Sequence, residues 1–535
     1  MKKTTRYNLF VATAYALVLI VGMVLGIKFI KDQGYRVEKP LPYANNTDQK
    51  RDDILHLIKK KYVDDVNADS LQHLPIDSLL HQLDPHSAYL PAEEADELSD
   101  DLEGNFEGIG VEYYILNDTL LVTGVLRDGP AFIGGLRSGD KIIKVDSTVV
   151  SGRSLPRSEM TGRIKGKRGT PVQLTVARQG VPGAVSLSIK RGKVLVSSID
   201  VAYMLNAETG YMRISKFGAN TDKDFIEAIK VLKARGMRKL VLDLRDNGGG
   251  YVSAATGLAN QFLQENKLIV YTEGKHEPRT DYFSTGGGEF EQGKLAVLIN
   301  ENSASASEIF AGAIQDLDRG IIIGRRSFGK GLVQEQFPFD DGSALNLTIA
   351  RYYTPLGRSI QKSYKRGYAA YHKELDERFN DGELMQGNAK VTDSLQRGNV
   401  FVTASGKKVF GGGGIQPDVF VRLDTSGYNK FYMRLVDNNV LIDYVFQTLV
   451  HRYTADYLLQ NINTFSINDN DFKTFVNYLH QRQIKTDARQ LSASRALISN
   501  DMKVMLCKYY LGDWGYYRAS NLSDPVVKQA VASLQ

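Results

Sequence analysis

At 535 residues the chain exceeds one ordinary domain, and 42% hydrophobic with 24% charged residues is a globular rather than a disordered composition. The formal charge of +6 is spread without a basic block, which speaks against nucleic acid as a partner. One cysteine, Cys507, excludes an intrachain disulfide and a cysteine metal cluster.

Lys2, Lys3 and Arg6 precede residues 9–27, which carry no charge and are long enough to span a bilayer. A secretory signal starts the same way, but its apolar core is usually shorter and ends at a small-x-small site, which Gly26-Ile27-Lys28 does not offer. The expectation is therefore a retained membrane anchor over 1–31, with its basic end in the cytoplasm and the rest of the chain outside it. Residues 32–105 read as a polar tether followed by a small helical region, with Ile54, Leu57, Ile58 and Tyr62 at helical spacing and breaks at Pro75, Pro85 and Pro91. Asp84-Pro85-His86-Ser87 reads as a turn, since it joins turn formers and has no second ligand at a metal-binding spacing.

From residue 106 to 195 the pattern changes to short alternating strands, opened by Gly108-Ile109-Gly110-Val111. A tight glycine-containing turn of this kind leaves backbone N–H groups free to hold a terminal carboxylate. The region resembles a PDZ domain, most clearly in Arg127-Asp-Gly-Pro-Ala-Phe-Ile-Gly-Gly-Leu-Arg-Ser-Gly-Asp-Lys-Ile142.

Residues 196–425 read as one core region, within which 196 to about 352 alternate strand and helix, which implies a mainly parallel sheet with its site at the carboxyl ends of the strands. Two loops follow strand ends. One is Arg245-Asp246-Asn247-Gly248-Gly249-Gly250, whose glycines suit an oxyanion hole better than a nucleotide, because the phosphate-loop lysine motif is absent. In the other, Ser303, Ser305 and Ser307 lead into a helix that begins near Glu308. A serine there has the positive end of a helix dipole and unpaired N–H groups beside it, as a nucleophile and an oxyanion require. Ser305-Ala-Ser-Glu308 also fits a capping box, in which the serine merely starts the helix, and the residues alone leave both readings open. Downstream, Lys330 lies between Gly329 and Gly331; a lysine can act as base only where burial lowers its pKa toward neutrality. Residues 362–400 read as charged and loop-rich, and 426–535 as a helical domain in which Cys507 and Trp514 are packing residues.

Taken together, the Gly108 turn, Asp243-Leu-Arg-Asp-Asn-Gly-Gly-Gly250, Asn302-Ser-Ala-Ser-Ala-Ser-Glu308, Phe328-Gly-Lys-Gly331 with Gln334, and Gly414-Ile-Gln-Pro-Asp418 resemble the C-terminal processing peptidases, or tail-specific proteases, in family order over residues 50–423. The resemblance implies a catalytic dyad of Ser305 and Lys330, with Gln334 orienting the lysine. It implies an oxyanion hole made by the N–H of Ala306 and that of Gly249, with Gly250 as the alternative, and Gly248 stands where many relatives carry proline. It also implies capture of a substrate C-terminus by Gly108, Ile109, Gly110 and Val111.

The expected architecture is thus an α/β protease core with a mainly parallel sheet, an inserted PDZ-like module, an N-terminal helical region and a C-terminal helical domain. The expected partners are proteins or peptides with free C-termini and the membrane, with neither cofactor nor metal, and a homo-oligomer is left open. A Ser-His-Asp enzyme fits less well, because His276 and His372 lie outside the family's motifs and no Gly-x-Ser-x-Gly elbow occurs. Ser327-x-x-Lys330 matches the penicillin-binding motif, but that motif needs a helix and Lys330 sits between glycines. The non-enzymatic alternative is a membrane-tethered PDZ scaffold with an inactive hydrolase core.

Overall fold

The computed structural model describes residues 47–535 apart from 68–69, 117, 154 and 387–399, so the apolar segment 9–27 lies outside the described residues. Among those described, no helix is long and apolar enough to cross a membrane.

The core is a six-stranded sheet in the order Ile199–Met204, Thr209–Ile214, Lys239–Asp243, Lys294–Ile299, Ile321–Gly324, Val419–Phe420. Only the first pairing is antiparallel; the other four are parallel. Its central strands are unbroken apolar runs because both faces are covered. Leu240, Leu242, Val297 and Ile299 face a cluster with Phe225, Ile229, Leu258 and Phe310 from helices Thr221–Ala234, Val252–Asn260 and Ala306–Asp316. The alternate residues Val241, Ala296 and Leu298 face Val526, Val527 and Ala530 of the last helix, Pro525–Ser533.

Beside the core lies an antiparallel sheet in which Leu332–Pro338 and Ala344–Tyr353 form a hairpin, with Gln334 paired to Thr348. The N-terminal region completes this sheet. Its strand Ala88–Leu90 pairs with residues 344–346, and Ile54, Leu57 and Ile58 of helix Thr47–Lys61 pack on Phe337, Leu345 and Leu347. Pro75 and Pro91 stand at the N-caps of helices Ile76–Leu83 and Ala92–Glu103, where a missing N–H costs least.

The small β module hangs on a two-stranded neck, Asn105–Gly108 against Gly192–Leu195, so the chain enters and leaves it at one point. Its own antiparallel sheet leaves Val111–Leu116 as an edge strand. Helices from 430 onward follow the core. Phe431, Leu435, Tyr444, Phe475 and Cys507 share one cluster with Leu116 and Leu121 of the β module, so this helical unit packs on that module as well as on the core.

Residues 362–400 are not simply a loop. Tyr368–Asn380 is a helix that buries Tyr371 and Arg378. Arg378 and Arg326 both pair with buried Glu383, a tertiary arrangement that periodicity does not report.

Candidate active site

Strand Lys294–Ile299 ends where the chain must turn out of the sheet, and the turn is tied to the neighbouring loop. Ser303 Oγ donates to the Leu244 carbonyl at 2.8 Å, and Ala304 N–H and Ser307 Oγ donate to the Asn247 carbonyl at 3.0 and 2.9 Å. Ser303 and Ser307 are fully buried and their hydroxyls are spent on backbone. Ser305 differs: it is partly exposed, and its hydroxyl donates to no acceptor among the described residues. Its backbone, at φ 55° and ψ −116°, is a strained conformation for a residue with a side chain, held because both neighbouring serines are pinned.

Two buried side chains then tie Ser305 to Lys330. Glu308 Oε2 accepts from the N–H of Ser305 and the N–H of Lys330, each at 2.9 Å. Its Oε1 accepts from Gly329 N–H at 2.7 Å and Ser327 Oγ at 2.5 Å. From the other side Tyr352 Oη donates to the carbonyls of Lys330 and Ser305, at 2.5 and 3.1 Å. Burial pushes the Glu308 carboxyl up to about 7 against the opposing pull of its four donors. The glycines beside Lys330 are dictated by close approach. A Cβ on Gly329, at φ +89°, would meet Gly414 N and Lys362 Cβ at 3.1 Å, and one on Gly331 would meet Gln361 N at 3.0 Å. Gly414 thus belongs to the wall that holds the lysine loop.

Burial lowers the Lys330 amine to about 8, although Asp84 and Glu308 oppose the shift. No hydrogen bond joins it to Ser305 Oγ; such contacts often tighten only around a substrate. Gln334 does not bond the lysine either: its Nε2 donates to Thr348 Oγ1 at 3.1 Å.

Gly249 lies directly against Ser305. A Cβ there would come within 2.7 Å of Ser305 Cβ and 3.0 Å of Ala306 N, and its φ of +106° already favours glycine. Its N–H, however, donates to Asn247 Oδ1 at 2.9 Å, whereas the Ala306 N–H has no backbone acceptor. Gly250 is turned toward Phe217, whose carbonyl a Cβ would strike at 2.2 Å.

In the β module, the N–H groups of Ile109 and Gly110 have no backbone acceptor, and their carbonyls are used by Ala131 and Leu126. These donors immediately precede the edge strand Val111–Leu116, and the Ile109 side chain shares one core cluster with Met160 and Ile164. Among the described residues no group of three or more His, Cys, Asp and Glu could hold a metal ion.

Several residues of the site are ones that sequence reading passed over. Tyr352 had no motif to mark it. Glu308 was visible, but as a cap. The turn at Asp84–Ser87 packs on the lysine side of the site, with His86 Nε2 2.8 Å from Tyr371 Oη and its imidazole driven down to about 2 by burial and by the charge of Lys330.

A model of peptidase family S41 matches residues 208–367, and one of the PDZ domain matches 108–189. The chain is 34% identical to the carboxy-terminal-processing protease of Bartonella bacilliformis over 363 residues, which are 67% of this chain and 82% of that protein. It is 33% identical to a probable CtpA-like serine protease of Staphylococcus aureus (strain MRSA252) over 332 residues, 61% of this chain and 65% of that one. Among solved structures, the photosystem II D1 C-terminal processing protease is 29% identical, with a TM-score of 0.36 over 59% of this chain and 91% of that one. A buried carboxylate and a tyrosine that join the backbone of a serine with an undonated hydroxyl to that of a lysine of lowered pKa are therefore found in a chain that belongs to the carboxy-terminal-processing serine proteases of peptidase family S41.

Proposed function

We propose that the chain is an endopeptidase acting outside the cytoplasm, held to the membrane by residues 1–31, which takes substrates by their free C-termini and cleaves them through a Ser305–Lys330 dyad. The domains are read as 32–105 tether and helical region, 106–195 PDZ domain, 196–425 protease core and 426–535 helical domain. The observation that carries this reading is that, of three alternate serines, only Ser305 keeps an undonated hydroxyl, and its backbone shares Glu308 and Tyr352 with the lysine.

In the reaction, neutral Lys330 takes the hydroxyl proton as Ser305 Oγ attacks the scissile carbonyl. The oxyanion forms against Ala306 N–H, with Gly249 N–H joining it by sharing its proton between Asn247 Oδ1 and the new acceptor. Lys330 then protonates the leaving amine, and water, deprotonated by the same amine, releases the acyl group. Gln334 steadies the lysine side of this exchange. The nest at residues 108–111 accepts the substrate's terminal carboxylate while the chain behind it adds to the edge strand Val111–Leu116.

The test uses the full-length chain in detergent with a protein substrate ending in an apolar residue. Cleavage should be lost in Ser305→Ala and Lys330→Ala, and amidation of the substrate C-terminus should weaken turnover. Equal cleavage by all three enzymes would end the dyad reading, and no cleavage by any of them would leave the scaffold reading in its place. For the anchor, the mature protein taken from membranes should still begin at its first residues.

A further inference from the structure

The Asp84–Ser87 turn is contributed by the N-terminal region, and nothing in the dyad chemistry requires it. Asp84 is buried, 2% exposed, and carries four donors. The N–H groups of His86 and Ser87 and the Thr348 hydroxyl donate to Oδ1 at 2.7, 2.9 and 3.0 Å, and Ser87 Oγ donates to Oδ2 at 2.6 Å. Thr348 in turn receives Gln334 Nε2. The direction of this chain is fixed by donor and acceptor accounting. An ionised carboxylate only accepts, so the Thr348 proton points to Asp84. The lone pair left on Thr348 can take only a donor, so Gln334 must turn its NH2 toward Thr348. Its Oε1 is then the free end of the amide, on the strand that begins two residues after Lys330.

We propose that Asp84 and Thr348 are positioning residues of the catalytic centre: they lock the amide of Gln334 so that its carbonyl oxygen is presented to the Lys330 amine. The carboxylate that anchors this chain of hydrogen bonds also opposes, by its charge, the effect of burial on that amine. The inference rests on the dyad reading above. Without Thr348 the amide can flip and offer NH2 to an ammonium, which orients nothing. The other charged groups around Lys330 are Glu308 from helix Ala306–Asp316 and Lys362 beyond His86, and His86 stays neutral. Asp84 is thus the carboxylate that opposes burial from the N-terminal side.

The test is a series of kcat and KM measurements against pH on the full-length chain in detergent, using a fluorogenic peptide with a free apolar C-terminus. Thr348→Val, which keeps shape and removes the hydroxyl that contacts Asp84, Gln334 and Ser87, should lower kcat about tenfold or more with KM little changed and the protein still folded at the assay temperature. Thr348→Ser should restore most of the loss. Asp84→Asn should move the acidic limb of kcat/KM about one unit toward lower pH, since a neighbouring negative charge no longer favours the protonated amine. A Thr348→Val enzyme with wild-type kcat, or an unmoved limb in Asp84→Asn, overturns the proposal, provided Lys330→Ala is inactive. If Asp84→Asn does not fold, the Thr348 pair decides alone. Wild-type cleavage by Lys330→Ala and Ser305→Ala would instead sink the dyad reading on which the proposal stands.

Discussion

In the proposed dyad a lysine serves as a base only in the fraction of molecules where it has lost its proton, and burial, which lowers the Lys330 amine, enlarges that fraction. With its amine near 8, kcat/KM should rise with pH below that value, about tenfold per unit, and level off above it, which a pH profile measures directly. The same burial costs stability. The unfolded chain holds the Lys330 proton more tightly than the folded one between about 8 and 10.5, so Lys330→Met should raise stability at neutral pH, by on the order of 2 kcal/mol, while abolishing cleavage. Glu308→Gln should do the reverse. An amide NH2 would face N–H donors that now meet a carboxylate, leaving at least one buried donor unpaired at about 1–3 kcal/mol, with kcat reduced because the two backbones lose their common anchor. Denaturant melts and kinetics on the same samples separate the two effects. The sequence posed Ser305 as either a cap or a nucleophile; the geometry makes these compatible, because Glu308 carries the capping role and leaves the serine hydroxyl undonated.

At the scale of elements, the strands and helices of the core were legible because a sheet covered on both faces needs apolar runs, and its helices need apolar stripes. Strand Lys239–Asp243 and helix Thr221–Ala234 stand within a residue of where the pattern puts them. Helix Tyr368–Asn380 was missed because it is held from across the fold, with Arg378 donating to the carbonyls of Arg326 and Ser327 and Glu374 pairing with Arg326, and not by an apolar stripe. The glycine loop shows the same limit. Three glycines announce close backbone approach, but only the fold says to what: Gly249 to Ser305 and Gly250 to Phe217. Gly249→Ala should therefore cut kcat by about a hundredfold or more with modest change in KM, as a methyl group enters the space beside Ser305, the proposed nucleophile.

On the scale of the whole molecule, the helices after residue 430 tie the parts together. The long helix Ala488–Asn521 bends at Gly512, where φ is 65°; Lys508, before the bend, pairs with Glu112 of the PDZ domain, and Tyr517, after it, bonds Asp200 of the core. The last helix begins at Asp524, whose carboxylate caps it and also accepts from Arg245 Nη1 at 2.7 Å, next to the Asp243 carboxylate and the glycine loop. Removing residues 524–535 uncovers one face of the core sheet and releases Arg245, and should cost the core about 3–5 kcal/mol in a melting experiment. A truncated chain that melts like the intact one would show the last helix to be a passive appendage.

The residues alone marked the candidates, a serine at a helix start, a lysine between glycines and a glycine turn before a strand, without a phosphate-loop lysine motif, and the family resemblance chose the nucleophile over the cap. Those features are local, and local constraints are written in neighbouring residues. What only the tertiary structure decided is which groups stand around the dyad. Asp84, Thr348 and Tyr352 come from distant parts of the chain, and none bears a local mark, because burial and charge pairing depend on what the fold brings alongside.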